Sequence, residues 1–137
     1  PSQVIHCLLA ANRWEKLQEI KSAQEKNSVI IMNRYYQSNL VHGAANGMSL
    51  SWLEGLDEGL PKADLVIVLD VSQKESFSRK KQNRDRFEKN AQFLQTISTT
   101  YKKLAKKYRW SLVNASQSKE KVHADIMQVL SKKLAKL

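Results

Sequence analysis

A chain of 137 residues, 42% of them hydrophobic, with one cysteine (Cys7) and three histidines (His6, His42, His123), fits one compact domain that buries its own core, and it excludes a disulfide framework or a Cys-rich zinc site. No apolar run approaches the roughly 20 residues of a membrane span and no charged-then-apolar leader opens the chain, so a soluble, cytoplasmic protein is expected, while Pro1-Ser2 in place of a methionine leaves the natural start open. The net charge of +10 lies in one half: residues 1–78 carry 7 basic and 9 acidic side chains, residues 79–137 carry 16 and 4, a field that favours an anionic partner.

Ser2 is placed to cap a first helix predicted to run to about Gln24, with Ile5, Leu8, Leu9, Leu17 and Ile20 on its apolar side. Cys7 in that stretch reads as core, and His6 as a helix-face residue without chemistry. Ser28-Val29-Ile30-Ile31-Met32 is short and continuously apolar, the pattern of a strand buried on both faces. A helix is predicted over Gln37–Ala45, ending at Asn46-Gly47, and a shorter one over Ser49–Leu56, before Gly59-Leu60-Pro61 breaks the chain. Asp64–Asp70 is a second predicted strand. Ser72-Gln73-Lys74-Glu75 has the reciprocal serine–glutamate pattern that starts a helix. That helix runs into Arg79-Lys80-Lys81-Gln82-Asn83-Arg84-Asp85-Arg86, too dense in charge for a core.

From Glu88 a long helix places Phe93, Leu94, Ile97, Tyr101 and Leu104 at helical spacing. Its Lys102, Lys103, Lys106 and Lys107 read as a solvated face, and Tyr101, Tyr108 and Trp110 as core rather than a base-stacking platform. Trp110–Val113 is a third predicted strand, and Ser118 opens a last helix along Val122, Ile126, Val129, Leu130 and Leu134. Helices alternating with buried strands predict an α/β domain with a parallel sheet. Ligands of such sheets bind beyond the carboxyl ends of the strands. Asn33-Arg34-Tyr35, Asp70 and Asn114-Ala115-Ser116 fall there, which marks a phosphate site. Asp70 reads equally as a group facing phosphates or as a turn cap.

Five segments, in order along nearly the whole chain, resemble the thymidylate kinase family. Leu8-Leu9-Ala10-Ala11-Asn12-Arg13-Trp14-Glu15 is similar to its LLFxANRWE helix, and Asn33-Arg34-Tyr35-Tyr36-Gln37-Ser38 to its DRYxxS segment. Gly59-Leu60-Pro61-Lys62-Ala63-Asp64-Leu65-Val66 resembles GLPxPDLV, Asp85-Arg86-Phe87-Glu88 resembles ERYE, and Asn114-Ala115-Ser116-Gln117-Ser118 resembles DASxS.

The resemblance implies a P-loop nucleoside monophosphate kinase-like fold, a parallel sheet flanked by helices, and ATP- and Mg²⁺-dependent phosphorylation of dTMP to dTDP. It implies that Arg13 reaches the thymine edge and that Arg34 holds the dTMP phosphate. Ser38, Asn39 and His42 would line the deoxyribose pocket. Arg79, Arg84 and Arg86 would belong to a lid (about 72–87) that closes over ATP and neutralises the transferring group. Ala115, Ser116 and Gln117 would border the adenine. Homodimers form in this family through helices that include the first one here.

At four positions this chain departs from the pattern. Leu9 replaces the phenylalanine that stacks on thymine, keeping apolar contact without the π-face. Asn33 replaces the aspartate that helps organise Mg²⁺ and brings no charge. Phe87 replaces a lid-end tyrosine, and His42 an aromatic that guards the sugar pocket.

Glycine occurs only at 43, 47, 55 and 59, and none precedes a lysine, so these residues hold no GxxxxGK(S/T) phosphate loop. The expectation is therefore a single domain over 1–137 equivalent to the C-terminal part of such a kinase, with the N-terminal strand and phosphate loop missing from this chain, which either belongs to a longer kinase or folds with a complementing N-terminal segment. Two readings from other classes stand beside it. One is a catalytically impaired homologue acting as a nucleotide-binding or interaction subunit. The other is a basic nucleic-acid-binding module, disfavoured because its charges follow helix surfaces.

Overall fold

The computed structural model describes residues 2–26, 29–72 and 84–135, with side chains from residue 91 onward in the last stretch. It divides into two compact units, Pro1–Lys62 and Ala63–Leu137.

The first unit is helical: α1 (Ser2–Glu15), α2 (Leu17–Lys26), α3 (Tyr36–Ala45) and α4 (Leu50–Gly55). One continuous first helix was expected. Instead the chain turns at Lys16, whose N–H bonds Arg13 O at 3.2 Å, and α2 starts afresh. The inward face of α1 also differs from expectation. His6 and Ala10 are buried, whereas Val4, Ile5 and Leu8 are 50%, 59% and 66% exposed. Ala10 is small enough for α3 to approach, and the larger apolar residues lie on the other side. Cys7 is exposed rather than core.

The apolar run at 29–32 forms no strand and is exposed, Ile31 to 91%. Burial on both faces requires neighbours that take its N–H and C=O groups, and no strand pairs with it among the described residues.

α3 ends as its Asn46-Gly47 pair predicts. Gly47 is left-handed at φ 78°, its N–H reaches Ala44 O at 3.0 Å and Met48 N–H reaches Gly43 O at 3.0 Å, the two-bond C-terminal lock that favours glycine. α4 starts on Ser49, whose hydroxyl accepts from Trp52 N at 3.4 Å. Leu40, Val41, Leu53 and Leu60 form the core of this unit.

The second unit is a strand–helix–strand arrangement closed by one more helix. β1 (Ile67–Asp70) and β2 (Ser111–Asn114) pair in parallel, with Val68 opposite Leu112 and Asp70 opposite Asn114. The crossover ends in α5 (Arg84–Tyr108), and α6 (Lys119–Leu134) follows β2. The expected α/β class and parallel pairing are present, and among the described residues the sheet has two strands rather than three. The helix expected from Ser72 falls in 73–83, outside the described residues.

Ile97, Leu104 and Ala105 of α5 are buried with Val113 of β2, while Phe93 and Leu94 are each 39% exposed. α5 stops with Arg109 left-handed (φ 57°) and Trp110 N–H bonded to Ala105 O at 2.9 Å. Tyr108 and Trp110 then stack, their ring centroids 5.4 Å apart. No helix of the described residues is long and apolar enough to cross a membrane.

Candidate functional site

The C-terminal turn of α1 clamps the loop after α4. Arg13 pairs side-on with Asp57: Nε donates to Oδ1 at 2.7 Å and Nη2 to Oδ2 at 2.8 Å. The two side chains are only 11% and 5% exposed. The guanidinium fork matches the two carboxylate oxygens, and the pairing leaves Nη1 for another acceptor. Next to it, Trp14 Nε1 donates to Leu56 O at 2.8 Å. Gly59, left-handed at φ 96°, lies so close to the Trp14 ring that a Cβ there would stand 3.1 Å from it. The NRWE and GLP segments are thus joined by direct contact. Leu9, one helical turn before Arg13 on the same face, is 49% exposed.

A second cluster forms where the chain enters α3. Arg34 is non-glycine yet left-handed, φ 64°, a conformation that costs on the order of 1 kcal/mol and persists where surroundings impose it. Its Nε donates to Ser38 Oγ at 3.3 Å and its Nη2 to His42 Nε2 at 3.1 Å. Ser38 and His42 lie one and two turns along α3, so one helix face holds the guanidinium. Arg34 itself is exposed and remains open to an anion. Asn33, beside it, is exposed too. Burial, then the Arg34 charge, then His6 hold the His42 imidazole below its ordinary pKa.

Tyr35 joins the two clusters. Burial and the nearby Asp57 carboxylate push its phenol pKa up, while Arg13 opposes them. Its ring meets Tyr36 edge-on, centroids 5.1 Å apart. The Tyr35 hydroxyl and Gln37 Nε2 are buried without a hydrogen-bond partner among the described residues.

His6, expected on a helix face, is buried and bonded to Asn39, one of the residues expected at the sugar pocket. Its Nδ1 lies 2.5 Å from Asn39 Oδ1, and Asn39 Nδ2 donates to the His6 carbonyl at 3.5 Å. An amide oxygen only accepts, so the His6 proton sits on Nδ1. Asn39 is 3% exposed and its carboxamide is fixed at both ends by one residue. The sequence signal was the helical spacing of His6, Ala10 and Arg13, which puts the three on one face.

In the second unit the loop after β2 is ordered by its own side chains. Asn114 Oδ1 accepts Ser116 N–H at 2.9 Å, and Ser116 Oγ accepts Ser72 N–H at 2.9 Å. Ala115 is buried, its N–H on Asp70 O at 2.8 Å. Gln117 Nε2 donates to Asn114 O at 2.8 Å and to Asp125 Oδ2 at 2.6 Å. Bonds from Lys121 and Gln117 hold the Asp125 carboxyl below the usual range. Ala115, Ser116 and Gln117 therefore form one braced turn at the carboxyl ends of β1 and β2, where ligands of parallel sheets bind.

Arg79 lies outside the described residues, and Arg84, Arg86 and Phe87 fall in the first turn of α5, where only the backbone is described. No group of three or more His, Cys, Asp or Glu converges on a cation position among the described residues. Asn33 offers one neutral oxygen, and the Asp70 carboxylate is engaged by Lys102 at 2.9 Å. These donors do not fit a resident Mg²⁺, which prefers carboxylates together with substrate phosphates.

The family model for thymidylate kinase matches residues 1–126. A thymidylate kinase of Schizosaccharomyces pombe is 34% identical over 134 residues, covering 94% of this chain and 63% of its own length. One of Homo sapiens is 35% identical over 130 residues, covering 93% of this chain and 60% of its own. A probable thymidylate kinase of Pyrococcus abyssi is 37% identical over 131 residues, 93% of this chain and 64% of its own. The chain thus spans less than two thirds of the length of these curated relatives.

Proposed function

Since this chain belongs to the thymidylate kinase family, we propose that it takes part in the ATP-dependent phosphorylation of dTMP to dTDP and that its first unit carries the acceptor side. The observation supporting this most directly is Arg34, an exposed guanidinium in a left-handed conformation, oriented by Ser38 and His42. A planar cation held in place before the ligand arrives binds a phosphate monoester without first losing side-chain freedom.

In this reading Arg34 fixes the dTMP phosphate, so that one of its oxygens faces the γ-phosphoryl group in line. Arg13, its orientation set by Asp57, offers Nη1 to a thymine carbonyl, with Leu9 on the same helix face supplying apolar contact. Ser38, Asn39, locked by His6, and His42 border the sugar. The lid arginines Arg79, Arg84 and Arg86 neutralise charge as the phosphoryl group moves from ATP to dTMP. The braced turn at Ala115, Ser116 and Gln117 borders the adenine. Mg²⁺ enters with ATP as part of the substrate complex. The glycine-rich phosphate grip is contributed from outside these 137 residues, and the protein works as a homodimer through α1.

The test is dTMP binding by calorimetry, paired with phosphoryl transfer from ATP–Mg²⁺ when the chain is combined with a phosphate-loop segment of a relative. Arg34→Ala removes a charge-assisted contact and should weaken dTMP binding by about 10- to 100-fold, with Arg34→Lys in between. Unchanged dTMP use by Arg34→Ala would overturn the assignment.

A further inference from the structure

We propose that His42 is the proton-linked partner of Arg34: capture of a phosphate dianion at Arg34 draws a proton from solvent onto His42 Nε2, turning the ring from an acceptor of the guanidinium into a second donor to the dianion. The inference deepens the acceptor-site reading and rests on it for the identity of the natural dianion.

The geometry carries the argument. A guanidinium has donors only, so the 3.1 Å contact of Arg34 Nη2 with His42 Nε2 requires a lone pair on that nitrogen. The resting ring is therefore neutral, with its proton on Nδ1. Arg34 approaches His42 from the turn before α3, and His6 approaches from α1. Ser38, on the His42 helix, touches the same guanidinium, and Asn46 Nδ2 bonds the His42 carbonyl at 2.9 Å. None of these groups is acidic, and no carboxylate influences His42 among the described residues. Burial and the Arg34 charge thus disfavour a second positive charge on the ring. A dianion seated on Arg34 reverses that field, and an imidazolium beside it becomes favourable.

The sign follows from linkage. The free ring titrates below its ordinary value and the ring beside a dianion titrates above the free one, so the complex holds more protons between those two values. Dianion affinity rises as pH falls through that interval and levels off below it. Each unit of separation is a tenfold gain in affinity.

The experiment follows the ring resonances of the three histidines by NMR between pH 5 and 8, with His42 assigned by its loss in His42→Gln. Sulfate serves as a dianion that does not itself titrate in this range, and dTMP as the nucleotide. The expected result is a rise of about one unit for His42 with either anion. Calorimetry of dTMP should show an approximately tenfold gain on acidification in the wild-type chain relative to His42→Gln, whose amide can still accept from Arg34; ionisation of dTMP is common to both.

A His42 shift with sulfate but no response to dTMP sustains the inference and overturns the nucleotide reading. Backbone shifts at 34–42 on adding dTMP, with His42 titrating unchanged, overturn the inference and leave the reading standing. No response to either anion overturns both.

Discussion

The resemblance assigns Arg13 to the thymine edge, and the structure pairs the same guanidinium with the Asp57 carboxylate. Asp57 takes Nε and Nη2 and thereby fixes the direction of Nη1. Both side chains are nearly buried, so removing one charge strands the other. Asp57→Asn should destabilise the fold by about 3 kcal/mol, read as a lower urea midpoint at unchanged slope. A loss within a few tenths of a kcal/mol, as for an exposed pair, would show that the pairing does not persist in solution. Tyr35 makes the opposite prediction. Its buried hydroxyl has no partner among the described residues, so Tyr35→Phe should be neutral or stabilising by up to about 1 kcal/mol. Because its phenol titrates above the ordinary value of about 10, the native state keeps a proton that the unfolded chain releases first. Stability from this group is intact below pH 10 and falls as pH rises through the native value. Alkaline unfolding should therefore begin at higher pH in Tyr35→Phe, and coincident curves for the two proteins would contradict that assignment.

At the level of elements, the contact between α3 and α4 depends on Gly43. A Cβ there would stand 2.5 and 2.6 Å from the two methyl carbons of Leu53, and Leu53 is fully buried. Alanine would gain up to about 1 kcal/mol of helix propensity at this position, but overpacking costs about 1–3 kcal/mol. Gly43→Ala should lower the melting temperature, and a rise would mean that α4 shifts freely. The same scale shows what the sequence made legible. Helix ends carrying a short-range chemical signature were read correctly: Asn46-Gly47 closing α3, Ser49 opening α4, and Ser118, whose hydroxyl accepts Lys121 N–H at 3.2 Å, opening α6. Burial was less legible, because it depends on partners that the local pattern does not name. The Val-Ile-Ile-Met run has strand composition but no ladder partner among the described residues. The inward face of α1 is chosen by what α3 offers, so His6, bonded to Asn39 across 33 positions, is buried while Leu8 is exposed. The motif segments located the two clusters, yet nothing in the sequence paired Arg34 with His42 or Arg13 with Asp57.

Over the whole molecule, two surface properties point in different directions. The basic excess after residue 78 makes a field that favours anions, whereas Val4, Ile5 and Leu8 place an apolar stripe along the exposed side of α1. A residue that keeps half or more of its surface in contact with water contributes little to the fold, so substituting it should leave the monomer intact. If α1 meets α1 of a second copy across a two-fold axis, each substitution acts twice. Burying a Leu side chain contributes about 1.5–3 kcal/mol, so two copies of Leu8→Glu should remove at least about 3 kcal/mol, which is more than 100-fold in the dimer dissociation constant. Sedimentation equilibrium on the wild-type chain and on Leu8→Glu reads this directly, with circular dichroism as the check that α1 remains helical. Dimers that become monomers on substitution support self-association through this stripe. An equally tight dimer in Leu8→Glu, or a monomeric wild-type chain at micromolar concentration, would rule it out, and the Arg34 site would then belong to a single chain.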